Sequence, residues 1–180
     1  MTKPRLIIII NFFLILNLGV FIGCSDDGEQ EEEKETQEQE IQQLVRELGD
    51  SDGMIRTHAT VALSRMGEPA VPALTEALSH QDVGIRWNAV VALNMMGESA
   101  KLAVPALIKA LEDEHKEIRA TAAGALAKTG TSEAKQALVE FVPTLIKSLS
   151  DKNVGVRVSA ARSLGEIGAT AKQAVPDLIK

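Results

Sequence analysis

The sequence predicts an all-α protein: an α-solenoid of stacked helical hairpins, about four units long, preceded by a leader and an acidic linker. Three observations predict it. A thirteen-residue pattern recurs four times, as IRTHATVALSRMG (55–67), IRWNAVVALNMMG (85–97), IRATAAGALAKTG (118–130) and VRVSAARSLGEIG (156–168). The apolar positions inside each copy fall at helical spacing. Length varies only between the Gly that closes a copy and the next Pro, in steps of 5, 8, 13 and 8 residues. Stacked units allow insertions at one junction because packed parts cannot change length and loops can.

The chain opens on Lys3 and Arg5, followed by an apolar run from Leu6 to Ile22 broken by Asn11 and Asn17, then Gly23, Cys24 and Ser25. That is the layout of a secretory signal peptide over residues 1–23. As a helix, the run reaches roughly 25 Å, slightly under the ~30 Å apolar core of a bilayer. VFIGCS resembles the bacterial lipobox. In that motif, cleavage falls before the Cys and the sulfur receives a diacylglycerol. The resemblance implies lipidation of Cys24 and a membrane-anchored lipoprotein of the bacterial cell envelope, on its periplasmic or extracytoplasmic face. An uncleaved anchor helix is the alternative. In both cases the positive start stays inside and the rest is exported. A lone Cys leaves no intrachain disulfide. Residues 24–40 then form the linker, whose stretch SDDGEQEEEKETQEQE holds nine acids and one Lys, a charge of −8. Like charges extend such a run as a solvated spacer. Its Glu/Gln-rich end is helix-prone and runs into Ile41.

The repeat domain covers residues 41–180, with units at about 41–67, 72–97, 105–130 and 143–168 and a partial unit at 176–180. In each, a first helix starts at Pro72, Pro105 or Pro143, and Pro176 opens the partial unit. Proline suits a helix start because its missing N–H would be unpaired there anyway. Leu74 and Leu78, Leu107 and Leu111, and Leu145 and Leu149 are i, i+4 pairs on one face, and Leu44 and Leu48 supply the same pair in the first unit. The turns GDSDG, HQD, DEH and DKN follow, with Asp52, Asp82 and Asn153 as N-caps for the second helix. The second helices carry stripes such as Ile55, Ala59, Ala62, Leu63 and Met66, or Ile85, Ala89, Ala92, Leu93 and Met96. Gly67, Gly97, Gly130 and Gly168 are the expected helix stops.

VRVSAARSLGEIG after PTLIKSL, joined by a turn containing Asp151, resembles the HEAT repeat, and more narrowly the bacterial HEAT-like repeats of the phycobilisome-lyase type. The resemblance covers about residues 41–180. It implies a right-handed superhelix with the first helices convex and the second helices concave. It also implies a ladder of turn Asp and helix Arg between neighbouring units, here Asp50 with Arg56, Asp113 with Arg119 and Asp151 with Arg157. In the second unit His80 stands where an Asp would face Arg86. An Arg at a helix edge satisfies several acceptors at once, a structural role.

Residues one, five and eight positions after each Arg point away from the core stripe. They are Thr57, Val61 and Ser64; Trp87, Val91 and Asn94; Ala120, Gly124 and Ala127; Val158, Arg162 and Gly165. A solvated face is usually rich in Glu and Lys, yet this one holds one charge among twelve residues. On the implied concave side it forms a groove for a partner, with Trp87 as anchor and Val91, Thr57, Val61, Val158 and Arg162 around it.

Other function classes find little support. Residues 41–180 carry 16 basic and 16 acidic side chains, so no basic patch offers itself to nucleic acid. There is no Tyr, one Trp, and one Phe beyond the leader, so stacking platforms for bases are missing. His58, His80 and His115 are followed by Ala59, Gln81 and Lys116, not by the Glu of the His-Glu pairs in the diiron HEAT-repeat hydroxylases. No metal-ligand spacing, phosphate loop or catalytic residue stands out, and no cofactor is implied. The expected function is a non-catalytic interaction scaffold, tethered by lipidated Cys24, that binds another protein of the cell envelope. The alternative is an accessory subunit or lyase-like enzyme, against which the export leader speaks. The partial unit at Pro176 leaves an apolar face for a partner or a second copy to cover.

Overall fold

The computed structural model describes residues 26–168. The expected signal peptide, Cys24 and the expected partial unit at 176–180 lie outside the described residues. The chain divides between Thr36 and Gln37 into two units, and the repeat domain is described by itself. Among the described residues every regular element is helical.

Helix α1 (Asp26–Glu47) takes up nearly the whole acidic run. The expected extended spacer is therefore a helix, since Glu, Gln and Lys are good helix formers and outweigh the like-charge repulsion. Residues 34–40 are exposed, and burial begins at Ile41, Leu44 and Leu48. This last part of α1 and α2 (Gly53–Met66) make the first hairpin. Helices α3 (Val71–Ala77) and α4 (Val83–Met96) make the second, and α5 (Val104–Ala110) and α6 (Lys116–Thr129) the third. Helices α7 (Ser132–Ser148) and α8 (Val154–Ile167) make the fourth. The second helices pack in series, α2 on α4, α4 on α6 and α6 on α8.

The caps follow the sequence. Asp52 accepts from the Met54 N–H at 2.8 Å, Asp82 from Gly84 at 2.7 Å and Asn153 from Gly155 at 2.7 Å. Each satisfies a donor that the first helical turn leaves open. His115, at the same place before α6, makes no side-chain cap. The second helices end at Gly67, Gly97, Gly130 and Gly168, with φ of 70°, 60°, 68° and 37°. Gly67, at ψ −142°, occupies a region that a Cβ makes costly.

Three junctions depart from expectation. Between Gly67 and Pro72, and between Gly97 and Pro105, the chain winds into 3-10 turns at Glu68–Ala70 and Gly97–Ala103. Between Gly130 and Pro143 the link shrinks to Gly130 and Thr131. Helix α7 starts after Thr131, whose hydroxyl accepts from the Ala134 N–H at 3.1 Å, and Pro143 falls inside it. Ala134, Leu138, Val142 and Leu145 form one buried stripe at helical spacing, and that continuous burial carries the helix through the proline. The expected start of the fourth unit at Pro143 is thereby corrected.

One apolar cluster runs through all four hairpins. Leu63, Leu93 and Leu126 are fully buried, and Leu164 packs against the same cluster. Leu145 is buried as expected, while Leu149 is 40% exposed.

Candidate functional site

The turn arginines set the concave surface in place. Arg56 Nη1 donates to the carbonyls of Asp50 at 2.6 Å and Ser51 at 2.9 Å. Arg86 does the same to His80 and Gln81, Arg119 to Asp113 and Glu114, and Arg157 to Asp151 and Lys152. The carboxylates turn elsewhere. Asp50, Asp113 and Asp151 each accept from the backbone N–H two residues on, and His80 Nδ1 accepts from the Asp82 N–H at 3.0 Å. His80 therefore replaces the Asp in closing the turn.

This corrects the expected ladder. Asp50 with Arg56, Asp113 with Arg119 and Asp151 with Arg157 are contacts within one unit, from guanidinium to backbone carbonyl. The arginine–carboxylate rung between units, among the described residues, joins Arg86 to the following turn: Nε to Asp113 at 2.8 Å and Nη2 to Glu114 at 3.0 Å. Both side chains of the Arg86–Asp113 pair are 9% exposed. The hydrogen bond that Arg86 donates to Asp113 holds the guanidinium above its ordinary range, against the opposing effect of burial. Burial works to raise Asp113, but the His115 N–H and the Arg86 guanidinium together bring it below the usual carboxylate range. At the next junction Lys116 and Asp151 pair instead, and that bond from Lys116 leads in lowering Asp151. Asn153 Nδ2 donates to Glu117 across the same junction.

Within this frame, side chains of α2, α4, α6 and α8 line two adjoining clefts of about 830 Å³ and 440 Å³. The second brings together all six side chains that the sequence singles out: Thr57, Val61, Trp87, Val91, Val158 and Arg162. That the first and fourth hairpins reach the same cleft is the mark of a concave face. Thr57 and Arg162 are exposed, Val61 and Val91 half-buried, and Val158 is 52% exposed. Trp87 is half-buried, packs against the core and lines both clefts. Support for its ring and openness to a ligand are thus compatible.

The third unit departs from expectation. Ala120 and Gly124 are buried, not open to the groove. Helix α8 closes on α6 at these small residues, and the Ser163 hydroxyl donates to the Ala120 carbonyl. Position two after each Arg went unnoticed in the sequence, yet Asn88, Thr121 and Ser159 line the second cleft. Asn88 Nδ2 also donates to the Leu48 carbonyl at 2.8 Å, tying α4 to the first turn. The available signal was that these three residues are small and polar without charge. Among the described residues no group of three or more His, Cys, Asp or Glu could hold a metal ion.

The family model described as HEAT repeats matches residues 41–104 and 99–142, more than half of the chain, and the model described as HEAT repeat matches 141–171. The chain belongs to the HEAT-repeat family. Solved structures similar to this HEAT-repeat protein include an engineered protein at 25% identity, covering 77% of this chain and 67% of that one with a TM-score of 0.52. They also include the complex of CpcE and CpcF of phycocyanin lyase from Nostoc sp. PCC7120, at 20% identity, 77% and 88% coverage and a TM-score of 0.59. A designed armadillo repeat protein in complex with the peptide (KR)4 is similar at 23% identity over 69% of this chain and 63% of that chain, with a TM-score of 0.47. The lyase likeness is one of fold. No curated protein matches the chain.

Proposed function

We propose that this HEAT-repeat protein is a non-catalytic scaffold, tethered to the bacterial envelope through a lipid on Cys24, that grips a segment of another envelope protein in its concave groove. The observation that carries the reading is the joining of the two clefts through Thr57, Trp87 and Asn88, with exposed Val83, Met95 and Val158 and several half-buried apolar side chains along the way. A half-buried Trp with a fixed base is a rigid anchor that loses little freedom on binding. VFIGCS supports the tether. The phycocyanin lyase shares the fold at 20% identity, and this brings no activity to the present chain.

The test is a photo-crosslinking amino acid placed at Val91 in the groove or at Glu76 on a first helix. A partner captured in envelope membranes from position 91 and not from position 76, and lost with Trp87→Ala in a chain that still melts normally, supports the scaffold. Equal capture from both positions removes the groove. Mass spectrometry of the mature amino terminus checks the tether: an unmodified Cys24 in an uncleaved chain removes the lipid.

A further inference from the structure

A histidine stands at each end of the Arg86 tie. The first, third and fourth turns are closed by Asp50, Asp113 and Asp151, each accepting from the N–H two residues on. In the second turn His80 Nδ1 takes that place and accepts from the Asp82 N–H at 3.0 Å. The same turn offers the His80 and Gln81 carbonyls to Arg86. On the far side, Arg86 Nη2 lies 3.0 Å from Glu114 and 3.3 Å from His115 Nδ1. A guanidinium can only donate, so the nitrogen it meets is the unprotonated one. His115 Nδ1 is also 3.4 Å from Asp113 and 3.4 Å from Glu114. Both rings reach solvent: His80 is exposed, and the His115 side chain is 41% exposed. The other charged groups that line the first cleft with His115 are engaged elsewhere. Asp50 closes its turn, Arg56 is taken up by two carbonyls, Asp82 caps α4 and Glu117 accepts from Asn153. Beside His115 on α6, Lys116 is drawn to Asp151, and Arg119 binds the Asp113 and Glu114 carbonyls.

We infer that the joint between the second and third hairpins is a pH-sensitive switch, in which protonation of His80 and His115 loosens the hold of Arg86 on the next unit. A protonated imidazole carries an N–H on both nitrogens and accepts nothing. His80 then loses the Asp82 N–H, and the turn that fixes Arg86 opens. His115 then repels the guanidinium and draws Glu114, a member of its own turn, away from it. A contact between hairpins becomes a contact within one, and Arg86 keeps Asp113 alone. The turns closed by Asp50, Asp113 and Asp151 keep their acceptors, because a carboxylate ordinarily stays charged in mild acid where an imidazole does not. The sign follows: the joint is fastened while the two rings are neutral and unfastens as pH falls through the imidazole range. Trp87 follows Arg86 in the chain and lines the same cleft as His115, so the wall that a partner meets changes with the joint. The switch does not depend on what the groove grips.

The full-length protein, held in mild detergent, is compared at about pH 8 and about pH 5.5, on either side of the imidazole range. Amide exchange, corrected for its chemical dependence on pH, is expected to show protection of the Asp82 N–H falling at least about fivefold in acid. The matching amides of Asp52 and Asn153, held by Asp50 and Asp151, are expected to keep theirs. A double-mutant cycle between Arg86→Ala and Glu114→Ala reads the tie itself. Its coupling is expected to be about threefold in the unfolding equilibrium at the higher pH and close to none at the lower. His80→Asp is expected to keep the Asp82 amide protected at both pH values, and His115→Gln to keep the coupling. Trp87 is the only Trp in the chain, and its emission is expected to shift between the two pH values in the native protein and not in the double variant. Protection that stays flat in the native chain overturns the role of His80, and a coupling that stays flat overturns that of His115. A pH dependence that survives both substitutions, in a chain whose melting at the higher pH is unchanged, overturns the switch as a whole.

Discussion

Arg86 does two jobs that its three counterparts do not combine. Like them, it binds the two carbonyls of its own turn. Unlike them, it also grips Asp113 and Glu114 of the next unit from a position only 8% exposed. Arg86→Ala therefore leaves Asp113 short of its cation and is expected to cost roughly 3 kcal/mol in chemical denaturation. Arg56→Ala removes only the fork to Asp50 and Ser51 and is expected to cost about 1–2 kcal/mol. Equal losses would mean that the rung between units adds nothing. The rung also carries a pH signature. Asp113 is held below its usual range, so its contribution is complete above the unfolded carboxylate value of about 3.9 and is lost as pH falls through the lower folded value. The stability gap between the native chain and Asp113→Asn is expected to narrow below about pH 4. Arg86 stays charged throughout and adds no slope there. A gap that is flat through acid pH would assign the rung to geometry alone.

Helix boundaries show which local preferences the fold obeys and which it overrides. Asp52, Asp82 and Asn153 cap where their side chains allow, and the closing glycines take positive φ. These features are legible because each depends on one residue and its immediate backbone. Pro143 is not legible in the same way. Pro72 and Pro105 fall at helix starts, where a missing N–H is harmless, and the pattern assigns Pro143 the same place. In the folded chain the stripe from Ala134 to Leu145 outweighs it. Pro143→Ala restores a backbone donor in the middle of α7 and is expected to raise the melting temperature, since an interior proline costs up to about 3 kcal/mol. Pro72→Ala is expected to leave melting nearly unchanged. A fall in melting for Pro143→Ala would show that α7 needs the bend. Gly67→Ala meets no atom within 4 Å where its Cβ would sit, so its expected loss of about 1–2 kcal/mol is backbone strain alone.

At the scale of the whole repeat domain, the groove was readable as a face but not as a shape. Counting positions along one helix finds Trp87, Val91 and Val158, because helical period fixes which side a residue takes. It does not find how closely two neighbouring helices approach. That depends on small residues on both, and at α6 and α8 it buries Ala120 and Gly124. The same neighbour-to-neighbour logic governs stability. In a stack, each hairpin is supported only by those beside it, so damage in the middle is shared and damage at an end stays local. Leu93 sits fully buried in α4, with hairpins on both sides, and Leu93→Ala is expected to cost roughly 2–5 kcal/mol and to lower melting of the entire stack. Leu44 sits in the first hairpin, 6% exposed, with support from one side. Leu44→Ala is expected to speed amide hydrogen exchange in α2 while leaving α6 protected, because opening free energies vary along such a chain. If exchange rises equally in α2 and α6, the hairpins unfold as one block, and the domain is held together by its shared core and not by a chain of junctions.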